Sequence, residues 1–214
     1  MASFIIIKHP TTIIVSGPTQ CGKTFFVVKL IKSDLIQPPP ERVWWIYGFW
    51  QPIYEELGAK FIHASGAESA PAIEKVFSEL KPSERNLLVL DDQMGGLADS
   101  KELSRLFTEG SHHLNLTIIY IVQNLFNKGK SQRTASINTH YFVLFKNPRD
   151  TSQVSYLMQQ LARSKARSLV KIFEDATAGS YSYLYIDCHP QFDKDLRYCT
   201  NIFPGDSLYS YEAL

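Results

Sequence analysis

The octet GPTQCGKT, residues 17–24, constrains the fold of this chain more than any other stretch. It follows the β-branched run TTIIVS and precedes the apolar segment FFVVKLIK, and its spacing is Gly-x-x-x-x-Gly-Lys-Thr. A strand, a glycine-rich turn and a helix in that order form the phosphate-binding loop, or P-loop, of α/β proteins. The alternative is a glycine turn that carries Gly-Lys-Thr by chance, and the flanking strand and helix argue against it.

The residue types in the octet suit a phosphate chain. Gly17 and Gly22 permit torsions and close approaches that a side chain would block, so successive N–H groups can point into one anion-sized nest. The N-terminus of the following helix adds partial positive charge there. Lys23 is predicted to bridge the β- and γ-phosphates of ATP, and the Thr24 hydroxyl to join the shell of Mg²⁺. The predicted nucleotide-binding residues are Gly17, Pro18, Thr19, Gln20, Cys21, Gly22, Lys23 and Thr24.

A second apolar run, NLLVLDD (86–92), ends in two acids. Asp91 is the predicted second protein ligand of Mg²⁺ beside Thr24, bound directly or through water. Asp92, one residue further, is predicted to orient or deprotonate the attacking water. The alternative for both acids is a cap on a strand-to-helix turn.

Three further side chains complete the predicted catalytic set. Gln123 ends the run LTIIYIVQN, at the strand edge where ligands gather in open α/β sheets, and its amide is predicted to sense water and the γ-phosphate. Arg133 and Arg149 are candidates for an arginine finger that reaches into a neighbouring subunit, because guanidinium neutralises phosphoryl charge. An ordinary strand-end cap is the alternative for Gln123, and a solvated surface position is the alternative for each arginine.

Strand-like and helix-like segments alternate along the whole chain. Continuous apolar runs predict buried strands, and segments of helical period lie between them. This alternation predicts an α/β fold, a P-loop NTPase with a RecA-like, mostly parallel sheet sandwiched by helices. No linker divides the chain, so residues 1–214 are predicted to form one domain, in which about residues 190–214 are an edge strand and tail. The predicted strands are 11–16, 42–48, 86–92, 116–124, 140–147 and 181–187, and the predicted helices are 22–34, 69–80, 100–110 and 150–176.

Charge and composition limit the partners. Lys+Arg at 22 and Asp+Glu at 21 give a net charge of +1, so any contact with DNA has to be local or shared between subunits. The segment FNKGKSQR (126–133) is a candidate flexible loop facing DNA, with a solvated loop as the default. Three cysteines without framework spacing are consistent with reduced thiols. With no apolar run of 18 residues, a soluble protein without a membrane span is expected.

Five segments together carry a resemblance to a known family. They are KHPTTIIVSGPTQCGKT, ERVWWIYGFWQPIYEEL, LLVLDDQM, SHHLNLTIIYIVQNLF and INTHYFVLFKNPRDTSQVSYLMQQL. They resemble the poxvirus-type genome-packaging ATPases of eukaryotic DNA viruses and Polinton/Maverick elements, within the FtsK/HerA superfamily. The similarity runs from about residue 8 to about residue 205.

The resemblance implies a function and its partners. Lys23 and Thr24 fall on Walker A, Asp91 and Asp92 on Walker B, and Gln123 on the glutamine of the superfamily. Arg133 and Arg149 lie in the region where related motors place an arginine that acts on the adjacent subunit, and the resemblance does not select one of the two. The implied activity is Mg²⁺-dependent ATP hydrolysis by a homo-oligomeric ring, a pentamer or hexamer, that drives double-stranded DNA into a viral capsid. Capsid or vertex proteins are the implied partners, and the virion or the host cell interior (nucleus or cytoplasm) is the implied location.

Two other functions fit the same motifs. A nucleoside or nucleotide kinase fits the length and the P-loop, and it would transfer phosphate to a small acceptor. A nucleotide-regulated scaffold would bind capsid protein and ATP without hydrolysis that responds to DNA.

Overall fold

A computed structural model describes residues 5–126 and 129–213, without the side chains of Met94 and His112. Its centre is a nine-stranded sheet in the order β11-β10-β9-β8-β2-β7-β6-β4-β5, and β1 and β3 form a separate two-stranded sheet. The strands are β1 Ile7–Lys8, β2 Thr12–Ser16, β3 Ile36–Gln37, β4 Arg42–Tyr47, β5 Lys60–His63, β6 Asn86–Asp91, β7 Leu116–Val122, β8 Tyr141–Phe145, β9 Tyr183–Asp187, β10 Tyr198–Thr200 and β11 Tyr209–Ser210.

Helices connect these strands and cover both faces of the large sheet. They are α1 Lys23–Lys32, α2 Ser69–Glu79, α3 Met94–Leu97, α4 Lys101–Arg105, α5 Ser111–His113, α6 Lys130–Ile137, α7 Ser152–Leu161 and α8 Ala166–Ala176. The predicted α/β class with a mostly parallel sheet between helices is therefore confirmed.

The large sheet has a parallel part and an antiparallel edge. The six strands β8, β2, β7, β6, β4 and β5 are mutually parallel, whereas β9, β10 and β11 follow antiparallel at one edge. Strand β7 lies between β2 and β6. The C-terminal ends of β2, β7 and β6 therefore meet at one edge of the sheet, with β7 in the middle.

The continuous apolar runs are explained by burial on both faces. In β2, Ile14 packs into the core on the side of α2, α7 and α8, whereas Ile13 and Val15 pack into the core on the side of α1. Residues 87–90 of β6 alternate in the same way. A strand covered on both faces needs apolar side chains at every position, which removes the alternation seen in half-exposed strands.

The strands β1, β3 and β5 and the helix α3 were not predicted, and three predicted segments differ in form. The single helix predicted over 150–176 is two helices, α7 and α8, separated by a 3₁₀ turn over Arg163–Lys165. The predicted helix 100–110 is α4 followed by a π-helical turn over Leu106–Gly110. Within the segment predicted as a flexible loop, residues from Lys130 onward begin helix α6.

The difference at α6 has a packing reason. Gln132 is buried and donates from Nε2 to the carbonyl of Asn124 at 2.8 Å, which ties the helix to the end of β7. Lys128, one of the bases assigned to the predicted loop, lies outside the described residues.

No helix in the described part of the chain is both long and apolar enough to cross a membrane.

Candidate functional site

The C-terminal edge of the parallel strands holds a cavity of about 620 Å³. Five separate chain segments line it: the octet, the loop after β4, the acidic pair at the end of β6, the end of β7 and the turn before β9. The turn before β9 reaches this edge because the antiparallel direction of β9 carries its N-terminal end there. The lining residues include Lys23, Thr24, Gln51, Tyr54, Asp91, Asp92, Gln123 and Tyr181.

The octet has the backbone of an anion nest. Gln20 and Gly22 have left-handed φ values of 64° and 100°, and alternation of left- and right-handed residues turns successive N–H groups to one side. The Gly17 N–H donates to the carbonyl of Val122 at 3.2 Å and so ties the octet to β7. Gly22 caps α1, whose first turn opens onto the cavity. This arrangement presents amide donors and the positive helix end to a phosphate group.

Lys23 lies at the cavity wall with its ammonium held over the octet. Its Nζ donates to the carbonyl of Pro18 at 2.7 Å. Burial lowers the pKa of Lys23, since desolvation disfavours the ammonium, while the nearby charges of Asp91 and Asp92 act in the opposite direction. A cation so placed can pair with the oxygens of a bound polyphosphate.

Helix α1 and strand β6 bring Thr24 and Asp91 together. The Thr24 hydroxyl donates to Asp91 Oδ2 at 3.4 Å, and the Tyr54 hydroxyl donates to the same oxygen at 2.8 Å. Gln51 Nε2 in turn donates to Thr24 Oγ1 at 3.5 Å. Gln51 and Tyr54, from the segment after β4, therefore orient the two predicted metal ligands toward each other.

Asp91 is a buried carboxyl group, only 5% exposed. Desolvation by burial raises its pKa, and the charge of Asp92 adds to that effect; the hydrogen bond from Tyr54 opposes it. A hydroxyl and a carboxylate 3.4 Å apart are hard oxygen donors of the kind that Mg²⁺ takes when it also binds phosphates. The residues present therefore fit a magnesium ion shared with a nucleotide.

Asp92 adopts a left-handed backbone, with φ 58°, which turns its side chain away from the strand and into the cavity. Gln123 Nε2 donates to Asp92 Oδ1 at 3.4 Å, so the ends of β6 and β7 meet through these two side chains. Behind them the buried Gln93 donates from Nε2 to the carbonyls of Ala64 and Asp91 at 3.0 and 2.9 Å. These bonds fix the turn that presents the acidic pair.

The two arginines lie elsewhere. Arg133 is exposed on α6, and Arg149 is exposed in the loop after β8. Neither is among the described residues that line the cavity. Within the chain, therefore, the structure brings together Lys23, Asp92 and Gln123 of the predicted catalytic set and leaves the arginines outside.

Cys21 contributes backbone to the octet, and its thiol is partly buried. Desolvation raises the pKa of Cys21, which outweighs the lowering effect of Lys23 and of backbone N–H groups. The thiol is therefore favoured over the thiolate.

Sequence reasoning missed Gln51, Tyr54, Gln93 and Tyr181. For Gln51 and Tyr54 a signal existed, because QPIYEE directly follows an apolar run and ligands gather beyond the C-terminal ends of parallel strands. Gln93 directly follows the acidic pair, and no sequence pattern around it indicates that its side chain is buried. Tyr181 had no signal, because its position depends on the antiparallel direction of β9.

No protein-family model and no curated protein matches this chain. Solved structures do match. The genome packaging NTPase B204 from Sulfolobus turreted icosahedral virus 2, in complex with ATP-gammaS, has a TM-score of 0.62 and 12% identity, over 86% of this chain and 95% of that chain. B204, the DNA-packaging ATPase from Sulfolobus turreted icosahedral virus, has a TM-score of 0.55 and 10% identity, over 87% and 96%.

The cytoplasmic domain of EssC is similar too, with a TM-score of 0.51 and 14% identity, over 94% of this chain and 40% of that chain. At such identities these likenesses establish the fold, which is that of the P-loop NTPases.

Proposed function

We propose that this protein hydrolyses ATP with Mg²⁺ at the cavity beside the octet. One observation carries the proposal: the Thr24 hydroxyl lies 3.4 Å from Asp91 Oδ2, so the loop suited to phosphate and the acid suited to metal share one site. The structures of B204 in complex with ATP-gammaS and with AMPPCP, which have the same fold, support nucleotide binding by a protein of this fold.

The chemistry follows from the side chains around the cavity. Asp92 and Gln123 orient a water molecule toward the γ-phosphorus, and Asp92 accepts its proton as the bond to the bridging oxygen breaks. Lys23 and the octet amides meet the charge that spreads over the phosphoryl oxygens. Bound Mg²⁺, held by Thr24 and Asp91, would neutralise further charge on the β- and γ-phosphates.

The position of β7 supports hydrolysis over transfer to a small acceptor. Because β7 separates β2 from β6, Gln123 stands between the octet and the acidic pair, and its amide bonds to Asp92 at 3.4 Å. This pairing is suited to holding water. A kinase would instead need that space for the acceptor hydroxyl.

We further propose that hydrolysis drives double-stranded DNA into a viral capsid, with several copies arranged in a ring of five or six. The support is the family resemblance, of the poxvirus or Polinton type, and the fold shared with a DNA-packaging ATPase. Arg133 and Arg149 are both exposed and outside the cavity of their own protomer, as a residue that acts on a neighbour must be. The proposed partners are DNA and capsid or vertex proteins, inside the virion or the host cell.

Steady-state ATPase assays with and without double-stranded DNA, beside size-exclusion light scattering, test this function. The motor predicts turnover that DNA stimulates, from an oligomer. Lys23→Ala is the inactive control, because loss of a charged hydrogen-bond donor to phosphate weakens nucleotide binding by at least about tenfold. Phosphate transferred to a nucleoside would identify a kinase, and ATP binding with turnover indifferent to DNA would identify a scaffold.

Mixed assemblies test the arginines. If Arg149 serves the adjacent site, Arg149→Ala and Lys23→Ala proteins are each inactive alone, and a mixture regains activity at interfaces that combine one intact arginine with one intact octet. The same mixture with Arg133→Ala in place of Arg149→Ala decides between the two. A mixture that stays inactive with both variants argues against an arginine supplied by the neighbour.

A further inference from the structure

The ring of Tyr181 stands in solvent at the mouth of the cavity. Its side chain is 73% exposed, although it lines the same cavity as the octet. Its backbone has a left-handed φ of 60°, an unfavourable conformation for an aromatic residue. A large exposed ring held at a strained position beside a binding cavity indicates a ligand contact.

The ring touches the octet itself. A Cβ atom placed on Gly22 would lie 3.3 Å from Tyr181 Cδ1, so the tyrosine side chain lies beside the Gly22 backbone. Any ligand held by the amides of the octet therefore has an aromatic ring near it.

The turn that carries Tyr181 is anchored. The Ser182 hydroxyl donates to the carbonyl of Gly179 at 2.7 Å. Just beyond, Tyr183 is buried with its ring centroid 4.8 Å from that of Phe26 on α1, and its hydroxyl accepts from the Ile202 N–H at 3.1 Å. The exposed ring therefore stands on a rigid base that packs against the helix of the octet.

Tyr181 and the acidic pair approach the octet from opposite sides, because β2, which leads into the octet, lies between β9 and β6. Tyr181 precedes β9 and Asp91 ends β6, and the sheet order β9-β8-β2-β7-β6 puts four strand spacings, about 19 Å, between these strands. The terminal phosphate must face Asp91 and Asp92, where metal and water are handled. The nucleoside end of the ligand must then leave toward Tyr181.

We propose that Tyr181 is the platform on which the nucleobase of a nucleoside triphosphate stacks. This inference rests on the proposed function, and it adds the group that recognises the base. Stacking on one aromatic face uses the π-surface that every base has, and it contributes about 1–3 kcal/mol in other proteins. The site is therefore selective for a nucleoside triphosphate over a bare triphosphate, through a residue outside the octet.

The test compares ATP with inorganic tripolyphosphate by isothermal titration calorimetry, each with Mg²⁺. We expect Tyr181→Ala to weaken ATP binding by about 5- to 100-fold, in line with the energy of stacking, and to leave tripolyphosphate binding unchanged. Tyr181→Phe keeps the ring and is expected to bind ATP as the wild type does. Tyr209→Ala, which removes another exposed tyrosine away from the cavity, is the matched control and should not alter binding.

Four results would overturn the inference. If Tyr181→Ala lost affinity for ATP and for tripolyphosphate equally, the ring would support the structure of the octet and would not contact the base. If the variant bound ATP as tightly as the wild type, Tyr181 would not contribute to binding. If the wild-type protein bound tripolyphosphate as tightly as ATP, the base would make no favourable contact. The stacking inference would then be wrong, whereas the proposed phosphate site would stand. Wild-type protein that binds neither ligand overturns the proposed function as well.

Discussion

Tyr54 donates its hydroxyl hydrogen to Asp91 Oδ2 at 2.8 Å, and both side chains are buried in the wall of the cavity. The tyrosine thereby fixes the orientation of a carboxyl group that burial would otherwise favour in its neutral form. It touches neither the reacting phosphate nor the water in the proposed mechanism, so it acts as a positioning residue.

Tyr54→Phe should therefore impair the use of metal more than the binding of nucleotide. Hydrogen bonds to charged groups contribute about 1.5–3 kcal/mol, so we expect the Mg²⁺ concentration for half-maximal turnover to rise by about tenfold or more. Nucleotide affinity measured in EDTA should change little. Tyr141→Phe, which removes a buried hydroxyl at the far end of β8, is the control; a magnesium requirement equal in both variants would contradict the role.

Asp92→Asn should separate binding from hydrolysis. Asparagine tolerates the left-handed conformation found at this residue, and its carbonyl can still accept from Gln123, so the site keeps its shape. Without a group that accepts the proton of water, turnover should fall by about 10²- to 10⁴-fold, while ATP affinity stays within a few-fold. Single-turnover kinetics and calorimetry measure the two effects. Normal turnover in this variant would show that Asp92 does not handle the water.

Gly17→Ala should disturb the octet through crowding. A Cβ atom there would lie 2.7 Å from both Cys21 Sγ and Phe145 Cβ, and the second of these belongs to a buried strand. We expect a loss of about 1–3 kcal/mol in the free energy of unfolding, together with weaker nucleotide binding.

Gly58→Ala is the matched control for that substitution, because nothing lies within 4 Å of its added Cβ atom. It should leave both urea stability and binding near the wild-type values. Adding Cys21→Ala to Gly17→Ala removes one of the two close contacts and should recover part of the stability. If Gly17→Ala behaves like Gly58→Ala, the octet is looser than its contacts indicate.

Asp187 makes stability depend on pH. Burial raises the pKa of its carboxyl from 3.8 to about 6, against the opposing effects of the His189 N–H, Lys8 and Arg197. The folded state holds the proton more tightly than the unfolded state, so the contribution of Asp187 is greatest below about pH 4 and is lost as pH rises through about 6.

Asp187→Asn should cancel that loss. The amide oxygen can still accept from the His189 N–H, a bond of 2.8 Å in the wild type. After allowance for partial exposure, we expect the variant to be about 1–2 kcal/mol more stable at pH 7.5 and near equal at pH 4. Urea unfolding at the two pH values measures the difference. Asp34→Asn, at an exposed position, controls for net charge, and an equal gain in it would contradict the assignment to burial.

The sequence predicts most of the sheet because buried parallel strands have a local signature. The run around Val89 is continuous and apolar, and its end with two acids marks the side of the sheet where the octet opens. Long-range geometry has no such signature. That Tyr54 bonds to Asp91, or that Gln132 docks under the end of β7, depends on how distant segments approach each other.

Local periodicity also could not locate the break between α7 and α8. Apolar residues continue at helical spacing across the junction, yet the Ala162 backbone leaves the helical region, with φ −160° and ψ 87°. Both helices pack into the same core, and such tertiary contacts override local propensity without appearing in any single window of sequence.

The pairing of β2 determines when, during synthesis, the octet can fold. Thr12 pairs with Ile118 and Ile13 with Tyr141, so the strand before the octet leaves the ribosome long before either neighbour exists. The nest therefore lacks its neighbouring strands until β7 and β8 have been synthesised, and synthesis must pass Tyr181 before the cavity has its last wall. Nucleotide capture would thus depend on segments made long after the octet itself.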